Sequence, residues 1–238
     1  KGEIIMTHKI REVYIVHHSH TDVGYTDLQE QVIYNQANNI RRAVELIENG
    51  IKNNTTQKDL KWNCETWYCV EQFFKMATEE EKEKFFDLVK KGNIDCKYLK
   101  EKIHTMQEIC GEKGIQIKTA MIADINGISM GQRDALIENG VEFLYTNIHT
   151  HHGMYPLYQN QKPYFWENEN GQRLLVWNGE HYNLGNALGI VLNKNVNFMT
   201  ENYFGKKNGD VTGLLENLHT NLAASIKEYE ENGYPYDF

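Results

Sequence analysis

The sequence predicts an α/β fold, a mostly parallel sheet or (β/α) barrel with helices outside it. Short apolar runs alternate with longer stretches in which apolar residues recur at steps of three and four, the β-α-β-α pattern of a parallel sheet. The run Ala120-Met121-Ile122-Ala123 is apolar without interruption, as a parallel strand covered on both faces requires. Polar, chemically capable residues follow such runs directly, at His17 to Asp22, at Asp124 and from Asn147 to His152. Folds of this class hold their ligands just outside the carboxyl ends of the strands.

The elements follow in order. Tyr14-Ile15-Val16 reads as a short buried strand that stops at His17, His18, His20, Asp22 and Gly24. Ile33, Ala37, Ile40, Val44 and Ile47 share one face of a long helix, with Gly50 as its stop. A short strand is expected near Leu60 to Cys64, then a helical segment from Glu65-Thr66-Trp67-Tyr68 that carries Val70, Phe73 and Phe74. Thr78 and Glu81 form a capping-box pattern ahead of Phe85, Phe86 and Val89, and Gly92 ends that helix. A third strand falls within Asn93 to Tyr98, a helix within Leu99 to Lys113, and the strongest strand within Ile115 to Ala123. A short helix from Ser129 to Asn139 leads to a fifth strand at Val141 to Ile148. Asn170-Gly171 predicts a hairpin between Tyr164 to Glu167 and Arg173 to Trp177. Leu215, Leu218, Leu222 and Tyr229 mark a final helix closed by Gly233.

Composition narrows the function. The 238 residues suit one domain, or one domain cut from a longer protein. A net charge of −8 argues against a nucleic-acid partner, whose binding surface would be basic. No apolar run approaches the roughly 20 residues that span a bilayer, and the start carries no secretory pattern. A cytoplasmic protein with no membrane partner is expected, and a homo-oligomer is compatible with the chain. Cys64, Cys69, Cys96 and Cys110 have no C-x-x-C spacing and read as reduced thiols.

His20 and Asp22 are the first candidate metal ligands. In extended backbone, residues two apart point to the same side, so one imidazole nitrogen and one carboxylate oxygen can meet at one ion. Mixed nitrogen and oxygen donors suit zinc, and less selectively manganese or cobalt. Asp124 is the second focus. A carboxylate directly after a fully apolar strand belongs at the mouth of the sheet or barrel; its alternative role is to cap the helix that begins near Ser129.

Two motifs, HSHTDVGYT at 18–26 and IADINGIS at 122–129 followed by GVEFLY at 140–145, resemble the N-terminal catalytic domain of glycoside hydrolase family 38, the α-mannosidases. The resemblance implies a (β/α) barrel of the glycoside hydrolase/deacetylase type, seven-stranded in that family and incomplete here. It makes residues 1–238 a single N-terminal catalytic-type β/α domain lacking the C-terminal part of the family domain. It also implies a Zn²⁺ cofactor held by His20, Asp22 and Asp124, with Asp124 also the catalytic nucleophile and Tyr25 stacked on the sugar. ETWY at 65–68 and HHG at 151–153 resemble segments of bacterial family-like proteins. Glu65 is expected either to contact sugar or to bond the His17/His18 side. His149, His151 and His152 are expected in a loop that contacts substrate or supplies a substitute ligand, and His181, with Glu180, is expected to touch substrate or close a loop.

The sequence departs from the family pattern at three places. Asn93-Ile94-Asp95-Cys96 runs almost at once into the next helix, no arginine lies near Asn147-Ile148-His149, and the family's acid/base Asp and second zinc His would lie beyond Phe238. The expected function is therefore a zinc-dependent retaining glycoside hydrolase acting on α-mannosides or related sugars, inactive alone if the acid/base is missing. The alternatives are a metal-dependent carbohydrate deacetylase or amidohydrolase on a related barrel, and a non-catalytic carbohydrate-binding remnant.

Overall fold

The computed structural model describes residues 9–24, 27–96, 103–124, 127–147, 161–181, 184–188 and 214–238. The chain divides into two units, Val16–His181, which carries the candidate site, and Lys1–Ile15 together with Tyr182–Phe238.

In the larger unit, helix α1 (Gln29–Asn53) buries Ala37, Ile40, Val44 and Ile47 of the predicted stripe together with Val32 and Ala43, while Ile33 is only partly buried. It does not stop at Gly50. Gly50 is buried inside the helix because the 3₁₀ turn Thr56–Asp59 lies on it: a Cβ there would stand 2.3 Å from the backbone nitrogen of Lys58. The stop is Asn54, whose left-handed backbone (φ 53°) turns its N–H back to the carbonyls of Gly50 and Ile51.

Strand β1 (Trp62–Cys64) leads into α2 (Trp67–Met76), where the Thr66 hydroxyl accepts from the Cys69 N–H. Helix α3 (Glu79–Lys90) begins with the capping box that Thr78 and Glu81 predict, formed in both directions. Phe73, Phe74, Phe85 and Phe86 from these two helices pack with neighbouring ring centroids 5.3–5.8 Å apart. Phe73 and Phe85 are fully buried, and burying one such side chain stabilises the fold by about 1.5–3 kcal/mol.

Strand β2 (Ile94–Cys96) runs parallel to β1, and helix α4 (Ile103–Glu112) follows. The second sheet holds β3 (Thr119–Ala123), β4 (Phe143–Asn147), β5 (Lys162–Glu167) and β6 (Arg173–Gly179) in the order β3-β4-β6-β5. Strands β3, β4 and β6 are parallel, and β5 is the antiparallel partner of β6 across the expected hairpin. Helix α5 (Met130–Glu138) lies between β3 and β4 in sequence, and its N-cap is Ser129, whose hydroxyl accepts from Gln132 N–H at 3.1 Å.

The architecture is α/β with parallel strands, but among the described residues no closed barrel forms. Closure needs hydrogen-bonded neighbours all the way round. Here the ladder ends at β2, three residues long, and a separate sheet begins at β3. The Tyr14-Ile15-Val16 run is not a buried strand either: these residues are 72%, 42% and 39% exposed. Pairing with β1 starts only at His17 and His18, where the Asn63 N–H donates to the His17 carbonyl at 2.9 Å and His18 bridges Asn63 in parallel.

The smaller unit contains α6 (Leu184–Leu188) and α7 (Leu214–Glu231). The Glu230 carboxylate at the end of α7 accepts from the backbone N–H groups of Lys9 and Ile10, and Lys9 Nζ donates to the carbonyls of Tyr234 and Pro235 at 3.0 and 2.8 Å. No helix among the described residues is long and apolar enough to cross a membrane.

Candidate metal centre

Every group of the site leaves the carboxyl end of a parallel strand or bridge in the larger unit. His18 itself bridges β1, His20 and Asp22 follow it, Glu65 follows β1, Asp124 follows β3, and Glu180 and His181 follow β6. Asp124 has a left-handed backbone (φ 62°), and its N–H donates to the Asn147 carbonyl at the end of β4 at 3.0 Å. Aspartate is among the few residues with a side chain that tolerate this region. The turn takes the chain out of the sheet at the carboxylate. Helix α5 is capped by Ser129, so Asp124 does not serve as its cap.

The ligand atoms converge. His20 Nε2 lies 3.4 Å from Asp22 Oδ1 and 3.3 Å from Asp124 Oδ2. One ligand atom from each of the three residues falls within 4.8 Å of the others. Two donors bound tetrahedrally to one ion at about 2.0–2.2 Å would stand about 3.3–3.6 Å apart, so both His20 contacts have the length of a coordination-polyhedron edge. The residues present therefore fit a single divalent ion.

Glu65 sits behind this cluster. It is 8% exposed in its side chain, with Oε1 2.6 Å from His20 Nδ1 and Oε2 2.8 Å from His18 Nδ1. Burial is the largest influence on its carboxyl and pushes the pKa up, but the hydrogen bonds from His18 and His20 outweigh it and hold the group below its ordinary value. For His20, burial is again the largest influence and lowers the pKa. The hydrogen bond and charge of Glu65, then the charges of Asp22 and Asp124, reverse it and leave the imidazole above its ordinary value. On the other side, His181 Nε2 lies 3.6 Å from Asp124 Oδ1, so the two oxygens of Asp124 face two different histidines.

The structure thus brings together His20, Asp22, Asp124, Glu65 and His181 of the residues singled out from the sequence. Between the two roles left open for Glu65, its oxygens lie on His18 and His20. Tyr25, His149, His151 and His152 lie outside the described residues. A buried polar pair was missed: Thr146 Oγ1 donates to Asn178 Oδ1 at 2.5 Å, and Asn147 Nδ2 beside it donates to the Glu180 carbonyl at 2.8 Å. Its signal was parity. Thr146 and Asn178 continue the alternate positions held by the buried Leu144, Leu174 and Val176, so polar side chains enter a core row at the strand ends. Cys64 and Cys69 are free, buried thiols.

No protein-family model matches the chain. No curated protein matches it. Among solved structures, it is similar to a protein in glycosyl hydrolase family 38 from Enterococcus faecalis, with a TM-score of 0.49 and 14% identity over 72% of this chain and 19% of that one. It is also similar to the 4-alpha-glucanotransferase from Thermococcus litoralis, with a TM-score of 0.45 and 15% identity over 67% of this chain and 27% of that one. The chain spans under a third of the length of either protein. Likenesses this distant assign neither a family nor an activity, and the functional reading rests on the site.

Proposed function

We propose that the chain is the metal-binding part of a zinc-dependent retaining glycoside hydrolase that acts on α-mannosides or related sugars. The observation that carries this reading is the meeting of His20, Asp22 and Asp124, with both carboxylates at coordination-edge distances from His20 Nε2. A nitrogen donor among the oxygens favours zinc over magnesium or calcium, which take oxygen ligands. The motif resemblance in the sequence supplies the substrate class.

His20, Asp22 and Asp124 would hold the ion. When bound, it would supply Lewis-acid stabilisation of charge at vicinal sugar hydroxyls. Asp124 would attack the anomeric carbon. Its two oxygens face His20 Nε2 at 3.3 Å and His181 Nε2 at 3.6 Å. The left-handed backbone presents it at the end of β3. A retaining reaction also needs a carboxylic acid about 5–5.5 Å from the nucleophile to protonate the leaving oxygen. A second reading, a metal-dependent carbohydrate deacetylase, is favoured by His181. An imidazole beside Asp124 gives an acid/base pair without a second carboxylate.

The test is hydrolysis of an aryl α-mannoside and release of acetate from an N-acetylated sugar, measured on the zinc-supplied chain and on a longer form of the protein. Release of the aryl group with retained configuration, lost in Asp124→Asn, is the expected result. Acetate release without glycoside cleavage would replace the first reading by the second, and silence of both forms with zinc bound would sink both.

A further inference from the structure

We propose that Glu65 is a positioning residue that sets the tautomer of His20, with His18 as the second anchor holding the carboxylate in place. The inference rests on the metal-site reading and goes beyond it, to how the imidazole ligand is made ready.

The geometry is that of a carboxylate shared by two imidazoles. Oε1 lies 2.6 Å from His20 Nδ1 and Oε2 lies 2.8 Å from His18 Nδ1. The Thr21 N–H adds a longer contact to Oε1 at 3.4 Å. An ionised carboxylate only accepts, so both contacts require the proton to be on Nδ1. In the neutral imidazole of His20, the lone pair is then on Nε2, the nitrogen that faces Asp22 and Asp124. Without Glu65 the neutral ring divides between two tautomers, and the one with a proton on Nε2 cannot bind an ion from that side. His18 explains why Glu65 does not swing away. With one oxygen on each ring, any rotation that favours one histidine breaks the bond to the other.

The neighbouring backbone fits this role. Glu65 directly follows β1, and Thr66 next to it caps α2, so the side chain leaves a segment held by a strand on one side and a helix on the other. Residues that hold the outer nitrogen of a metal-bound histidine typically change metal affinity about 10–100-fold when removed.

The experiment uses the full chain in three forms, wild type, Glu65→Ala and Glu65→Gln, with folding checked by circular dichroism. Two measurements are made on each. Long-range ¹H–¹⁵N correlation spectra of the metal-free protein, at alkaline pH where the rings are neutral, report which nitrogen of each imidazole is protonated. Zinc affinity is measured by competition with a chromophoric chelator. The expected results are an Nδ1–H tautomer for His18 and His20 in the wild type, a mixed tautomer for His20 in Glu65→Ala, and zinc affinity lower by about 10–100-fold in that variant. Glu65→Gln keeps the shape and offers one acceptor and one donor. One of the two histidines must then switch to the Nε2–H tautomer, and zinc affinity must fall if that histidine is His20. Wild-type tautomers in both variants, or a switched His20 with unchanged zinc affinity, would overturn the proposal. Tautomers that respond as described in a chain that binds no zinc would leave Glu65 as the group that orients His20 and would remove the metal-site reading instead.

Discussion

His20 Nε2 and Asp124 Oδ2 stand 3.3 Å apart, although one leaves the segment that bridges β1 and the other leaves β3 in a different sheet. A contact of this kind does not come from local sequence. It requires the larger unit to fold around it, and it gives the first prediction. Asp22→Ala and Asp124→Asn should each lower zinc affinity by more than about 100-fold, exceeding the loss typical of an outer partner such as Glu65. Calorimetric titration of the metal-free chain reads this directly, and equal affinities across the set would remove these residues from the coordination sphere.

Under the deacetylase reading, His181 is an acid/base group and not a metal ligand. It lies on the Asp124 oxygen that does not face His20. His181→Ala should therefore leave zinc stoichiometry unchanged while reducing turnover by about 10²–10⁴-fold, the usual range for a lost acid/base group. Elemental analysis beside a rate assay checks both halves. Loss of zinc along with activity would instead make His181 a ligand.

Gly50 gives a stability prediction in which two effects compete. Glycine to alanine within a helix ordinarily gains about 1 kcal/mol. Here the new methyl would meet the backbone of Gln57 and Lys58, with Lys58 N at 2.3 Å. Backbone cannot swing aside as a side-chain tip can, and overpacking costs about 1–3 kcal/mol. Gly50→Ala should be net destabilising, with a lower urea midpoint. A raised midpoint would mean that the turn at 56–59 yields.

Acid sensitivity should come in part from the start of α3. The Glu81 carboxyl is held below its ordinary value first by the Thr78 N–H, at 2.7 Å, and then by Arg41 Nε, at 2.6 Å. A folded-state value below the unfolded one contributes stability that is present above the ordinary value of 4.5 and is lost as pH falls through the depressed value. The difference in unfolding free energy between wild type and Glu81→Gln should therefore be largest near neutrality and shrink on acidification below pH about 4.5. A difference that is flat with pH would mean that the shift does not stabilise the fold.

What the sequence revealed follows from how local each signal is. The capping box at Thr78 and Glu81 is complete within four residues, and it formed as expected. The hairpin at Asn170-Gly171 and the apolar run Ala120-Met121-Ile122-Ala123 are similarly self-contained, although the strand begins at Thr119 and not at Ile115. Gly50 misled because its reason is a loop that packs on it from outside the helix. Tyr14-Ile15-Val16 misled because apolar residues indicate a strand only where a partner strand and a covering layer exist, and pairing begins at His17. In the site, His20 and Asp22 were legible from their spacing and Asp124 from its place after a strand. The contacts of Glu65 with His18 and His20 span more than forty residues, and no spacing records them.

The left-handed backbone of Asp124 sets two kinds of selection against each other. A library randomised at this position and sorted only for soluble expression should be enriched in glycine and asparagine, which accept φ near 62° most readily. Neither carries a carboxylate. A screen that rewards folding would thus discard the group on which the proposed chemistry depends, and aspartate at 124 would be maintained by function against a mild pull from stability.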